Sequence, residues 1–234
     1  MLSKQEILLS PIQQIKLELY REFGNNAKEV FDFIIDDKAV YGVVASECNT
    51  SSKINNDTDG VYIVYKDNSY ELFTGDNSKE NVKYIGLIHN GRRIAIALHD
   101  LGSNGKEFQF LKDKAGSPEY SDFYTSQRGI SAFEDFDGVN NTKHIKNDYD
   151  SEIPFELLEE NEYIPSLGEF GLMMMFASHI NKALEYVGGM SLKTWYWSST
   201  EAGRLNAWVV SFSDGNTTTY VKFYSNSVRA VAAF

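Results

Sequence analysis

Residues 191–234 read SLKTWYWSSTEAGRLNAWVVSFSDGNTTTYVKFYSNSVRAVAAF, and the fold turns on this stretch. The runs TWYWSSTE, AWVVSF, TTTYVKFY and SVRAVAAF are separated by turn formers, and Asp214-Gly215 between two alternating runs is a hairpin signal. In AWVVSF a period of two puts Trp208, Val210 and Phe212 on one face and Val209 and Ser211 on the other. The first set is expected in the core and the second outside it. TTTYVKFY has no clean apolar face: Thr217, Thr219, Val221 and Phe223 alternate with Thr218, Tyr220, Lys222 and Tyr224. Tyr and Phe supply contact area at low entropy cost, and Thr, Ser and Asn supply adaptable hydrogen bonds. A binding ribbon is therefore expected at about residues 202–227, although a partly exposed structural ribbon has the same composition.

Immediately upstream, IPSLGEF opens a helix. Ser166 and Glu169 have the spacing of a capping box, and Leu167, Phe170, Met174, Ala177, Ile180, Leu184 and Val187 recur at helical intervals. Gly188-Gly189 supplies the stop. One long helix is expected, with Met173, Met174 and Met175 in the core rather than on an adaptable surface. Further upstream, strand-like runs begin at Ala39, Gly60, Tyr70, Lys83 and Arg92, separated by pieces rich in Asn, Asp, Ser and Gly. Residues 102–150 have few apolar clusters and predict an irregular insertion with short helical turns. Residues 3–36 predict a bent helix or helical hairpin broken at Gly24-Asn25-Asn26, which packs on the domain or serves as an assembly arm.

The fold class expected is α+β, with short antiparallel strands. The division expected is a helical segment with a first strand over 1–52 and a ligand-binding domain over 53–234. The formal charge of −11 sets a field that opposes phosphate backbones, so nucleic acid is not an expected partner. The acidity lies outside the last segment, where Lys193, Arg204, Lys222 and Arg229 outnumber Glu201 and Asp214. Cys48 is the single cysteine, so no internal disulfide forms. The N-terminal residues carry charges throughout and lack a signal-peptide apolar region, and no later run is long enough to span a membrane. Neither membrane insertion nor an export address is expected.

The run YIPSLGEFGLMMMFASHINKALEYVGG, then YWSSTE, Ala207-Trp208, Phe212, Gly215-Asn216 and VRAVAAF, with GVYIVYKDNS and IAIALHDLGSN upstream, resembles the C-type-lectin-like variable proteins of diversity-generating retroelements from gut bacteria and their phages. The resemblance covers about residues 53–234. It implies a C-type-lectin-like fold with one long helix and irregular insertions, a role in receptor recognition or adhesion, and a place on a phage virion or bacterial cell surface. It also implies that template adenines are substituted at a fixed set of codons while the residues between stay constant. By position the constant scaffold is Trp197, Ser198, Ser199, Thr200, Glu201, Ala207, Trp208, Phe212, Gly215, Lys222, Val228 and Arg229. The diversified, ligand-contacting sites are Arg204, Leu205, Asn206, Val209, Ser211, Asp214, Thr218, Thr219, Tyr220, Val221, Phe223, Tyr224 and Asn226. Changing adenines in an AAC or AAT codon never yields Lys, Glu, Gln, Met or Trp. Between residues 202 and 227 only Trp208 and Lys222 belong to that set, both at scaffold positions.

The ligand implied is a protein or glycan on a cell surface, with a homo-oligomer built through the N-terminal helices as one arrangement. The alternative is a structural virion or surface-fibre subunit of the same fold. No catalytic residue is expected: His89, His99, His144 and His179 stand at no metal-ligand spacing with each other or with Cys48, and no serine sits in a nucleophile elbow. The formylglycine-generating enzymes of this fold family use active-site cysteines, and its calcium-dependent lectins use disulfides and Glu-Pro-Asn motifs; neither pattern occurs. Asp135, Asp137 and Gly138 resemble a calcium loop only faintly and read better as an acidic turn. No cofactor and no metal are expected.

Overall fold

The unbroken apolar runs GVYIVY and KYIGLIH make strands that are covered on both faces, and the two pair antiparallel. The computed structural model describes residues 58–102, 105–112 and 129–234. The chain divides into units Met1–Asn56 and Asp57–Phe234, and the described residues belong to the second. The N-terminal helices and the strand expected from Ala39 lie outside them.

Strands β1 (Gly60–Tyr65), β2 (Tyr70–Leu72), β3 (Val82–His89) and β4 (Arg92–Ala97) are antiparallel neighbours, with β1 between β2 and β3 and β4 beside β3. The β3–β4 turn is Asn90-Gly91, with φ of 48° and 72°, the left-handed pair that a tight hairpin needs. After β5 (Phe108–Gln109) and a 3-10 turn at Gly129–Glu134 comes helix α1 (Gly138–Asp148). Then follow β6 (Glu162–Tyr163), helices α2 (Leu167–Met175) and α3 (Ala177–Val187), and strands β7 (Trp195–Glu201), β8 (Asn206–Ser211), β9 (Thr217–Val221), β10 (Ser225–Asn226) and β11 (Val231–Ala232). The last strand returns to the first sheet, whose order is β2-β1-β3-β4-β11-β6; β7-β8-β9 form a second sheet and β10 pairs with β5. The architecture is α+β with mostly antiparallel sheets.

Two expectations are corrected. The long helix is two helices, broken at Phe176, whose φ of −109° and ψ of 10° leave the helical region. The apolar spacing continues through the break, so the sequence alone does not mark it. The Phe176 ring lies 5.2 Å from that of His89 on β3, and the break leaves Met173 buried, Met174 half-buried and Met175 67 % exposed. Second, residues 102–150 contain a true helix, α1. Its buried residues are Gly138, Asn141, Thr142 and Ile145, so it has almost no apolar stripe to read. Gly138 permits the close approach: a Cβ there would sit 2.4 Å from Glu169 Oε2 and 2.9 Å from the Ile164 carbonyl oxygen.

The capping box forms as expected. Glu169 Oε2 accepts from the Ser166 amide at 2.7 Å and Oγ at 2.9 Å, and Oε1 accepts from the Tyr163 hydroxyl at 2.8 Å. Burial pushes the Glu169 carboxyl above its ordinary 4.5, against the pull of these hydrogen bonds. A folded-state value above the unfolded one means stability that is complete below about 4.5 and lost as pH rises through the folded value. Glu169→Gln, which retains an acceptor for the Ser166 amide, is therefore expected to flatten that loss in urea melts across pH. Glu169→Ala orphans the Ser166 amide and the Tyr163 hydroxyl and should cost about 1–3 kcal/mol.

The core has two large parts. One packs Ile63, Ile85, Leu87 and Ile96 against Phe170, Met173, Ile180 and Leu184. The other joins Phe108, Phe110, Ile145 and Tyr149 to Trp197, Val209 and Val228. Among the described residues no helix is long and apolar enough to cross a membrane.

Candidate recognition surface

Cross-strand pairs Trp195–Ser211, Trp197–Val209, Val209–Thr218 and Ala207–Tyr220 define one face of the second sheet. Tyr196, Trp208, Val210 and Thr219 stand on the other. The alternation in AWVVSF is therefore as expected: Val210, Trp208 and Phe212 meet the helix-side core and Val209 meets the second. The expectation that Val209 and Ser211 face outward is corrected, since both are 0 % exposed. The register supplies the reason. Trp195 on β7 stacks on Tyr220 on β9, with centroids 5.4 Å apart at 28°, and β8 lies between these strands, so the stack spans the strand that carries Val209. Asn226 is also buried, at 4 % exposure, in the β10–β5 pair. These three side chains are not available to a ligand in this conformation.

The other sites gather along the free side and turns of this sheet. Arg204, Leu205, Asp214, Thr219 and Tyr224 are exposed, and Asn206, Thr218, Tyr220, Val221 and Phe223 are half-buried. The Lys222 amide donates to the Leu205 carbonyl at 2.9 Å, bringing the β7–β8 turn beside the end of β9. Tyr224 meets Tyr220 and Phe223 edge-on at 6.3 and 5.8 Å, which extends the Trp195–Tyr220 stack into a continuous aromatic row. Trp195 lies outside the expected contact set, and its only sequence signal is the period of two that pairs it with Trp197.

The hairpin that carries this row is locally determined. Gly215 has φ 74°, its amide donates to the Ser211 carbonyl at 3.1 Å, and the Ser211 amide donates to the Asn216 carbonyl at 2.8 Å. The Asp214 carboxylate accepts from the Asn216 side chain at 2.7 Å. Hydrogen bonds from Ser211 and Asn216 hold that carboxyl below its usual range.

Beneath the row, polar residues are buried and bonded. Trp197 Nε1 donates to the Phe108 carbonyl at 2.8 Å. Thr200 Oγ1 donates to Asp135 Oδ2 at 2.6 Å while accepting from the Leu167 amide at 2.8 Å. Glu201, Lys222 and the Tyr149 hydroxyl form a buried cluster, with the ammonium donating to the carboxylate and to Tyr149. Burial pushes the Lys222 ammonium down to about 7, and the adjoining carboxylate opposes that push. Arg229 Nε donates to Asp100 Oδ1 at 2.6 Å, and its two terminal nitrogens donate to the Ala97 and Met190 carbonyls at 2.9 Å each.

Asp135 is taken up by the Asp137 amide and the Asn141 and Thr200 side chains. Among the described residues no three His, Cys, Asp or Glu side chains are placed to hold a metal. His89 pairs with Asp59 at 2.7 Å and His144 with Asp148 at 3.3 Å. A polar cavity of about 330 Å³ includes Lys83, Tyr84, His99, Glu159 and Glu162 in its lining and none of the expected contact residues.

No protein-family model matches the chain, and no curated protein does. A fimbrial protein from Bacteroides ovatus has a similar crystal structure, with a TM-score of 0.49 and 18 % identity over 76 % of this chain. The match covers 49 % of that protein, so this chain spans about half its length.

Proposed function

We propose that this chain is a non-catalytic ligand-binding protein that presents a diversifiable surface on a C-type-lectin-like scaffold, acts in receptor recognition or adhesion at a bacterial or phage surface, and is the target of a diversity-generating retroelement. One observation supports this above the others: burial largely separates the two interleaved residue sets. Nine of the twelve scaffold residues, Trp197, Ser198, Ser199, Thr200, Glu201, Ala207, Lys222, Val228 and Arg229, are buried, with Trp208 and Phe212 half-buried and Gly215 exposed in the turn, whereas ten of the thirteen diversified sites are at least partly open. A surface that must accept many side chains needs this separation, because substitutions at exposed positions shift stability by only about ±0.5 kcal/mol. Tyr, Arg and Phe on a rigid hairpin are also effective contact residues.

The genetic test is a near-copy of the coding sequence for residues 202–227, differing only at template adenines, beside a reverse transcriptase gene. Absence of both leaves at most a relative fixed in one sequence. The protein test is substitution of Leu205, Phe223 and Tyr224 together by alanine. The expected result is a normal cooperative melt with loss of binding to cells that carry the receptor. Retained binding would sink the assignment of this surface. Loss of particle assembly with binding intact would favour the alternative, a structural virion or fibre subunit.

A further inference from the structure

We propose that strand β9 pairs edge to edge with β9 of a second copy of this chain, joining two three-stranded sheets into one and two aromatic rows into one surface. The joint use of that surface rests on the ligand-binding reading above; the pairing rests on the backbone.

The direction of the β9 backbone follows from its ends. The Lys222 amide donates to the Leu205 carbonyl, and the Asn216 carbonyl accepts from the Ser211 amide. Even-numbered residues therefore aim their backbone groups at β8, and Thr217, Thr219 and Val221 aim theirs away from it. The Val221 carbonyl accepts from the Tyr224 amide at 2.9 Å. The other outward groups have no hydrogen-bond partner among the described residues.

Other strand edges are protected. On the far side of the same sheet, Ser227 exchanges bonds with Trp195 and Trp197 at 3.1 and 3.0 Å. In the first sheet, the edge strand β2 is three residues long and carries Glu71, and the edge strand β6 is two residues long and carries Glu162. Short length and charge are the usual safeguards against strand addition. By contrast β9 spans five residues, TTTYV, with no charge, no proline and an unbroken register.

Only another extended backbone answers such an alternating row of donors and acceptors. A second copy fits it without conflict. Antiparallel pairing about Thr219 sets Thr219 opposite its twin and Thr217 opposite Val221, so β-branched side chains meet and no like charges do. Elsewhere the net charge of −11 makes copies repel one another; along β9 that repulsion has no local source. A two-fold axis normal to the sheet keeps Thr218 and Tyr220 of both copies on one side, and the two Trp195–Tyr220 stacks then border a single surface. Main-chain bonds carry the pairing, so it persists when the side chains at 218 and 220 change, and it holds at the diversified position 219 only when the two copies do not carry like charges there.

The test is sedimentation equilibrium of the full chain as wild type, Thr219→Lys, Thr219→Glu and an equimolar mixture of the two variants. Thr219 is exposed, so both variants should melt like wild type. The expected result is a twofold greater mass for wild type than for either variant, and return of that mass in the mixture, where Lys and Glu face each other. Equal masses for wild type and both variants overturn the pairing, and so does a mixture that stays at the variants' mass. A monomeric wild type that still binds receptor-bearing cells removes the pairing and leaves the ligand-binding reading; a dimer that binds nothing does the reverse.

Discussion

Arg229→Met is expected to lower the free energy of unfolding by about 3–5 kcal/mol, measured by urea denaturation. The guanidinium is 0 % exposed and holds Asp100 at 2.6 Å. It also caps the Ala97 carbonyl at the end of β4 and the Met190 carbonyl beyond α3. Methionine fills similar volume but donates nothing, which leaves a buried carboxylate without its cation and two carbonyls without donors. For a unit of this size the loss corresponds to roughly 6–20 °C in Tm. Arg229→Met combined with Asp100→Leu should recover a substantial part, because the orphaned charge is then gone. No recovery would mean that the carbonyl caps, not the ion pair, carry the cost.

Lys222→Met is expected to cost a similar 3–5 kcal/mol. Lys222 is 0 % exposed, and its ammonium is held by Glu201 and the Tyr149 hydroxyl. The cluster ties β9 to β7 and to the end of α1, directly beneath the aromatic row. Its loss should therefore also raise hydrogen exchange at the amide of residue 222, which donates to the Leu205 carbonyl beside the candidate recognition surface. Glu201→Met together with Lys222→Met should restore most of the stability, since a well-packed apolar pair can replace a buried ion pair. A single Lys222→Met variant as stable as wild type would sink the idea that this pair holds the scaffold.

Both arginine and lysine stand where the family resemblance puts scaffold residues, but their partners were not legible. Asp100 lies 129 positions from Arg229, and nothing local links the two. Glu169, by contrast, was paired with Ser166 from sequence because a capping box is contained within one helical turn. The strands from Gly60 to Ala97 were legible for the same kind of reason: short apolar runs bounded by turn-forming residues are properties of neighbouring residues. Helix α1 was not, since it buries Gly138, Asn141 and Thr142, whose fit depends on Glu169, Asp135 and Ile164.

The ribbon at residues 202–227 shows where the two kinds of information divide. The hairpin at Asp214-Gly215, the alternation of AWVVSF and the mixed aromatic and hydroxyl character of β9 are all readable from neighbouring residues, because each follows from turn chemistry or from the strand period. Long-range packing covers both faces of β8 and so closes Val209 and Ser211 to a ligand, buries Asn226 in the β10–β5 pair, and brings Trp195 into the open surface. A period of two says that alternate residues face opposite ways. What lies against each face is set by packing between strands distant in the chain, here by an indole on β7 that reaches across β8 to a phenol on β9.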